Sequence, residues 1–421
     1  MTIVDSNRST YRVKLLATKI GSGKTPAGGA ETYQDSGVIF LRSQNIHFDG
    51  LRLDDVAYID KSVHREMRGT RVIPGDVLLN ITGASLGRVT HFPEGLGDAN
   101  VNQHVCIIRP NGTLDSRYLS YALSARTSQG QILSMQVGGN RDGLNFEQVG
   151  NLEIPVPDVE TQRRIADFLD AETARIGKLA MLQREALELL RERELAIRDG
   201  LVNRLVAKFG EVPLRRFVAR IDQGASPQCE SFPREGAEWG VLKLSSIKRG
   251  QFNAEENKQL PPDVKPNAEY EIKPGDLLVT RANTPQLVGD VAVAHGKVQG
   301  LLLPDLIYRV TLEPGVDSEY VAQVALSGRI RTLIESIARG SSQSMVKLRG
   351  EDIREWPIPA ANSTQQENFV RDVERCSAAT KKAANAIRRQ LDLLTERRQA
   401  VITAAITGQL DVTTTHRIAT A

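Results

Sequence analysis

Laid on itself, the 421-residue sequence matches at a shift of roughly 200 residues, too long for a solenoid period and suited to duplication of a whole domain. The anchors recur in order. Gly23-Lys24-Thr25-Pro26 faces Gly224-Ala225-Ser226-Pro227, and Val38-Ile39-Phe40-Leu41-Arg42-Ser43 faces Val241-Leu242-Lys243-Leu244-Ser245-Ser246. Ile73-Pro74-Gly75-Asp76 matches Lys273-Pro274-Gly275-Asp276, a turn feeding an apolar strand in each copy. Asp115-Ser116-Arg117-Tyr118 matches Asp317-Ser318-Glu319-Tyr320, each opening a short segment of helical spacing. Pro155-Val156-Pro157 and Pro357-Ile358-Pro359 hold the chain extended as each module ends.

After each proline pair comes a long helix. Gln162-Arg163-Arg164-Ile165 opens the first and Gln366-Glu367-Asn368-Phe369 the second, and no proline follows Pro157 until Pro213. Ala, Leu, Glu and Arg dominate, giving helices of about 40 residues and roughly 60 Å. Steps of seven from Leu169 reach Ile176, Gln183, Leu190 and Ile197; from Val373 they reach Thr380, Ile387, Leu394 and Val401. Ile165, Leu179, Leu187 and Leu201 widen the first stripe. Two copies that each carry a stripe pack most simply as an antiparallel pair with pseudo-two-fold symmetry. The alternative is that each packs on its own module. The outward faces, such as Arg191-Glu192-Arg193-Glu194, read as solvated surface.

The expected fold class is therefore α+β: two mixed α/β modules separated and followed by long helices that pair as an antiparallel coiled coil. The boundaries fall at 1–157 for the N-terminal module, 158–208 for the central helix, 209–359 for the C-terminal module, 360–412 for the second helix and 413–421 for a tail. Net charge is only +3, and residues 1–150 and 206–356 are each close to neutral. Any nucleic-acid surface is then a local patch, since phosphate neutralisation supplies sequence-independent affinity. The N-terminus lacks a signal-peptide pattern and no apolar run reaches membrane-spanning length, so the expected location is the cytoplasm. Cys106, Cys229 and Cys376 form no CxxC pair and read as apolar fillers.

Three motifs suggest chemistry and fail on inspection. Gly21-Ser22-Gly23-Lys24-Thr25 mimics the end of a phosphate loop, but Thr18 replaces the first glycine and Pro26 opposes a following helix. Asp263, Glu271 and Lys273 mimic a nuclease trio, yet the first copy has no equivalent. The six histidines show no metal-ligand spacing, and no methyltransferase cofactor turn is found. The chain reads as non-catalytic, without a cofactor or metal of its own.

A Gly-x-Thr/Ser-Pro turn, a Pro-Gly-Asp strand entry, a Pro-x-Pro exit and Gln-x-x-Ile opening a leucine-rich helix, all present twice, resemble the specificity subunit of type I restriction-modification enzymes. The resemblance covers nearly the whole chain. It implies two target recognition domains, each reading one half of a split, asymmetric sequence in double-stranded DNA, and an antiparallel helix pair that sets the gap. It also implies partners: two methyltransferase (modification) subunits and up to two restriction/translocase subunits. Those partners would bind S-adenosylmethionine, ATP and Mg²⁺, giving an assembly that is a DNA-adenine methyltransferase and ATP-dependent endonuclease. The chain departs from the family where Thr161 precedes Gln162 and Gln365 precedes Gln366, positions commonly Glu. Asp158, Thr161, Ser363 and Thr364 supply alternative helix caps. A non-catalytic coiled-coil scaffold that binds proteins is the competing reading, favoured by the near-neutral modules.

Bases are read by polar side chains and phosphates by Lys, Arg, Ser and Thr. The candidates in the first module are Lys24, Thr25, Arg42, Gln44, Asn45, Thr82, Ser85, Arg88, Gln103, Asn140 and Arg141. In the second they are Ser226, Gln228, Lys243, Ser245, Ser246, Arg281, Asn283, Gln286, Gln343, Ser344 and Lys347. Ser43 and Ser245, and Thr82 and Arg281, are read as equivalent positions with different surroundings. Half-sites are expected about one helical turn apart.

Overall fold

The computed structural model describes residues 8–136, 143–342 and 345–412. Two compact units divide the chain: residues 1–184 with 388–421, and residues 185–387. Each unit joins one mixed module to a stretch of both long helices, Val159–Phe209 and Ser363–Thr407.

In the first unit an antiparallel sheet runs in the order Ala17–Ser22, Val105–Pro110, Val77–Asn80, Val89–His91. The second unit repeats that order with Val218–Gln223, Ile307–Leu312, Leu277–Thr280 and Val291–Val293. Val77–Asn80 and Leu277–Thr280 are buried throughout, which is why they read as unbroken apolar runs. A second sheet in each unit sets Val38–Leu41 parallel to Ala99–Val101, and Gly240–Leu242 parallel to Leu301–Leu302.

Within the first unit, Ile165 and Leu169 from the start of one long helix share a core with Ile402 and Ile406 from the end of the other, and with Val77, Tyr118 and Val149 of the module. Glu172 lies 4.0 Å from Arg397, so in this unit the helices run in opposite directions. In the second unit Leu201 and Val202 join Phe369 and Val373. The two packing alternatives coexist: in each unit the helices pair with each other and pack on a module. Leu169, Ile176 and Val373 are buried on the seam; Leu190, Ile197, Ile387, Leu394 and Val401 are half-buried. Leu179 departs from the expected stripe and lies exposed.

The sequence anchors meet one another. Asp115 caps helix Ser116–Ser124 by accepting from the amides of Arg117 and Tyr118, and Asp317 does the same for Ser318–Ala325. The Tyr118 hydroxyl donates to the Pro155 carbonyl at 2.7 Å, and Tyr320 to that of Pro359 at 2.7 Å. Gln162 Oε1 accepts from the Asp115 amide at 2.8 Å while its Nε2 donates to the Pro157 carbonyl at 2.8 Å. Gln366 repeats this with the Asp317 amide and the Ala361 carbonyl. Each module is thus bolted to the helix that leaves it by buried groups that can satisfy one another. Asp158 caps the first long helix through the Thr161 amide at 2.9 Å. At the second, Asn362 does so through the Gln365 amide at 3.1 Å, correcting the expectation of Ser363 or Thr364.

The Pro-Gly-Asp turns also have a common purpose. Gly75 and Gly275 take positive φ angles of 86° and 91°, and the following Asp bonds back to the amide of Ile73 or Lys273. Asp76, fully buried, then receives both Nε and a terminal nitrogen of Arg109 at 2.7 and 2.8 Å. In the second unit Arg309 lies 3.8 Å from Asp276 and bonds Asp222 at 3.2 Å. Burial raises the pKa of Asp276 and lowers that of Lys19, whose amine donates to the Gly69 carbonyl.

Candidate nucleic-acid interface

Strand Val38–Leu41 ends in a tight turn whose polar groups recur in the other copy. Arg42 lies 3.7 Å from Asp55, and Gln44 donates to Asp55 at 2.7 Å. Lys243 lies 3.8 Å from Glu256, and Ser245 donates to Glu256 at 2.6 Å. Hairpins Ile46–His47 with Gly50–Leu51 and Ile247–Lys248 with Gln251–Phe252 follow at the same distance. Arg42 therefore corresponds to Lys243, Ser43 to Leu244 and Gln44 to Ser245, so the strand alignment read from sequence is two residues out of register. The pairing of Thr82 with Arg281 is corrected too. Thr82 bridges to Gly143 as Ala282 pairs with Lys347, and Arg281 occupies the place of Ile81.

Asn45 and Ser246 are buried at 1% and 0% exposure, which removes both from the candidate contacts. Asn45 accepts from the Arg42 amide and donates to the Arg52 carbonyl, so its side chain holds the turn. Arg42 is engaged as well: it donates to the Asp55 carbonyl at 2.8 Å and sits over the Tyr33 ring.

The glycine-rich 21–25 stretch is explained by close packing. A Cβ on Gly23 would fall 1.7 Å from the Val101 carbonyl oxygen, and one on Gly224 1.8 Å from that of Leu303. Only glycine lets the chain cross there. The crossing sets Thr25 against Gln103 and Ser226 against Asp305, each hydroxyl donating to its partner.

Beside this crossing the first module opens a cleft of about 430 Å³, lined among others by Ser43, Thr82, Ser85, Arg88 and His104. Thr25, Gln103, His104 and Thr82 form one chain of hydrogen bonds, with 3.2 Å between Gln103 and His104 and 2.5 Å between His104 and Thr82. His104 and the buried Asn80, which donates to Ser85 at 3.0 Å, were not among the sequence candidates. His104 sits next to Gln103 in the turn, the one available signal.

Lys24, Gln228, Ser245, Gln286 and Lys347 are exposed; Asn283 is half-buried and accepts from the Thr284 amide. Arg281 is half-buried and donates to the Tyr308 hydroxyl at 3.2 Å. Asn140, Arg141, Gln343 and Ser344 lie outside the described residues. Of the trio Asp263, Glu271 and Lys273, Glu271 is tied to the Gly300 amide at 2.8 Å. No helix among the described residues is long and apolar enough to cross a membrane.

Residues 19–184 match the family described as type I restriction modification DNA specificity domain. The EcoKI specificity subunit of Escherichia coli strain K12 is 21% identical over 396 residues, 90% of this chain and 83% of that protein. The EcoEI specificity subunit of Escherichia coli is 28% identical over 159 residues, 37% of this chain but only 27% of that relative. A chain from a structure concerned with assembly and conformational transition of the type I R-M system shares the fold at TM-score 0.61 and 16% identity, covering 97% of this chain and 100% of that one. With a type I restriction modification DNA specificity domain matched at residues 19–184 and similarity to a curated specificity subunit along 90% of its length, the chain is similar to the specificity subunits of type I restriction-modification enzymes.

Proposed function

We propose that this chain confers DNA sequence specificity on a type I restriction-modification complex, the N-terminal module reading one half of an asymmetric, bipartite duplex target and the C-terminal module the other. The long helices set the gap and dock two methyltransferase subunits. Catalysis belongs to those partners, which bring S-adenosylmethionine, and for cleavage to up to two restriction/translocase subunits with ATP and Mg²⁺. The observation that carries this reading is a frame that recurs around rims that differ. Both units repeat the same sheet order, Gln–Asp junction and basic–acidic turn. Where the first has Gln103 and His104, the second has Asp305 and Leu306. Two readers of unlike half-sites need a common scaffold with unlike donors and acceptors.

Mapping methylated bases across a genome with and without the chain tests this reading. The expected result is a bipartite motif, present only with the chain, whose gap changes when both helices are shortened by matched turns while each half-site stays the same. A chain that alters no methylation site, or a gap indifferent to helix length, overturns the proposal in favour of a protein-binding scaffold.

A further inference from the structure

We infer that the cleft of the first module receives an acceptor-only group of DNA, a guanine N7/O6 edge or a phosphate oxygen, and that Gln103 and His104 are positioning residues that fix this preference. The inference rests on the DNA-reading function proposed above. The hydroxyl of Thr25 donates to Gln103 Oε1, which leaves the Gln103 amide nitrogen facing His104 Nε2 at 3.2 Å as the donor. A ring nitrogen that accepts carries no proton, so the network assigns the proton to Nδ1, which donates to Thr82 Oγ1 at 2.5 Å. The Thr82 hydroxyl, having accepted, keeps its own proton for the cleft.

Ser85 is set in the same sense. The fully buried Asn80 divides its Nδ2 between the Ser43 carbonyl at 2.7 Å and Ser85 Oγ at 3.0 Å, so the Ser85 proton is also free to donate. Arg88 lines the same cleft half-buried, and among the described residues its guanidinium has no acidic partner. Two oriented hydroxyls and a guanidinium present donors together, as guanine's major-groove edge or a phosphate requires. The second module lacks the relay, with Ala282 at the place of Thr82, Leu306 at that of His104 and Asp305 at that of Gln103.

The test uses the complex of this chain with its methyltransferase subunits. Thr82→Val removes the hydroxyl at constant shape, and is expected to weaken specific binding about tenfold, the scale of one lost directional contact. The loss should fall on the first half-site and leave the second unchanged. Thr82→Ser restores the selection, and Gln103→Ala relaxes the same position without adding to Thr82→Val. If the group is guanine, 7-deazaguanine at that pair penalises the parent and not Thr82→Val. If it is a phosphate, Thr82→Val weakens binding uniformly across sequences with the salt slope unchanged, and Arg88→Ala lowers that slope by about one. Parental affinity and base preference in Thr82→Val overturn the inference, as does a selected base that offers this position a donor. A parent complex with no bipartite target refutes the DNA-reading function itself; a selective parent with an indifferent Thr82→Val refutes only the relay.

Discussion

Replacing Gln162 by leucine tests the bolt between module and helix at nearly constant volume. Gln162 is 1% exposed, and its amide accepts from the Asp115 N–H and donates to the carbonyls of Pro157 and Thr113, at 2.8, 2.8 and 3.2 Å. Leucine removes all three bonds. Each buried group left without a partner costs roughly 1–3 kcal/mol, and with some carbonyl capacity regained from water the first unit loses about 2–4 kcal/mol. Cys106 reports on that unit alone, because Cys229 and Cys376 fall in the other. Its thiol is fully buried and pushed up to about 12 by desolvation, so an alkylating reagent reaches it as thiolate only through opening. A loss of that size raises Cys106 labelling by a factor of roughly 30 to 1,000, while the other two cysteines label at parental rates. The urea midpoint of the first unit should fall by about 1 M or more. Gln366→Leu should leave Cys106 labelling at the parental rate and lower the urea midpoint of the second unit instead. Cys106 labelling within about twofold of parent in Gln162→Leu would refute the junction argument, since twofold is under about 0.5 kcal/mol.

Gly23→Ala and Gly224→Ala each drive a methyl into a backbone carbonyl and should abolish folding of their unit, whereas Gly21→Ala, which meets nothing within 4 Å, should shift the thermal midpoint by little. A nucleotide-binding loop would instead be sensitive at both glycines. Asp76→Ala strands the half-buried Arg109 and should cost the first unit about 3–5 kcal/mol by denaturant titration. His91 has its pKa lowered from 6.5, first by burial, so the fold favours the neutral ring. Its contribution to stability is present above pH 6.5 and lost as pH falls through the lowered folded-state value; Tm measured from pH 8 to 5 should decline less in His91→Gln than in the parent.

The repeat, the two helices and the junction motifs were legible because prolines, Asp caps and buried glutamines impose local geometry that survives divergence. Strand register was not. Val38–Leu41 and Val241–Leu244 look alike as apolar runs, but a strand presents alternate faces and letters alone do not say which residue pairs with what. The true alignment is set by acids thirteen residues downstream of the base, Asp55 and Glu256, which only the folded hairpin brings back. Asn45 is ambiguous in the letters because a polar residue in a turn has the chemistry to meet DNA or to hold its own backbone, as it does here; the burial of Ser246 likewise shows only in the fold. His104 is not legible in the letters, because histidine spacing speaks only to metal ligation, and its place in a chain of hydrogen bonds between Gln103 and Thr82 exists only in the folded module.

Duplication supplies an internal comparison that sorts these roles. Groups that keep both identity and partner in the two copies, such as Tyr118 and Tyr320 on proline carbonyls or Gln162 and Gln366 on helix-cap amides, answer to the frame. Groups whose position is kept while their chemistry changes answer to something the two copies do not share. Arg88 and Asp290 are the sharpest case, because each returns the same carbonyl bond to the central strand, through the amides of Asn80 and Thr280. The arginine leaves its charge half-buried at the cleft; the aspartate is buried, its carboxylate accepting from the amides of Arg249 and Val291. Either residue completes the same ladder through its carbonyl, but the side chains answer to different surroundings: Asp290 holds two backbone amides of its own module, while the Arg88 guanidinium lines the cleft. On the first rim the position is thereby left to meet an acceptor, a task that the second rim, with its carboxylate committed to the backbone, does not carry there.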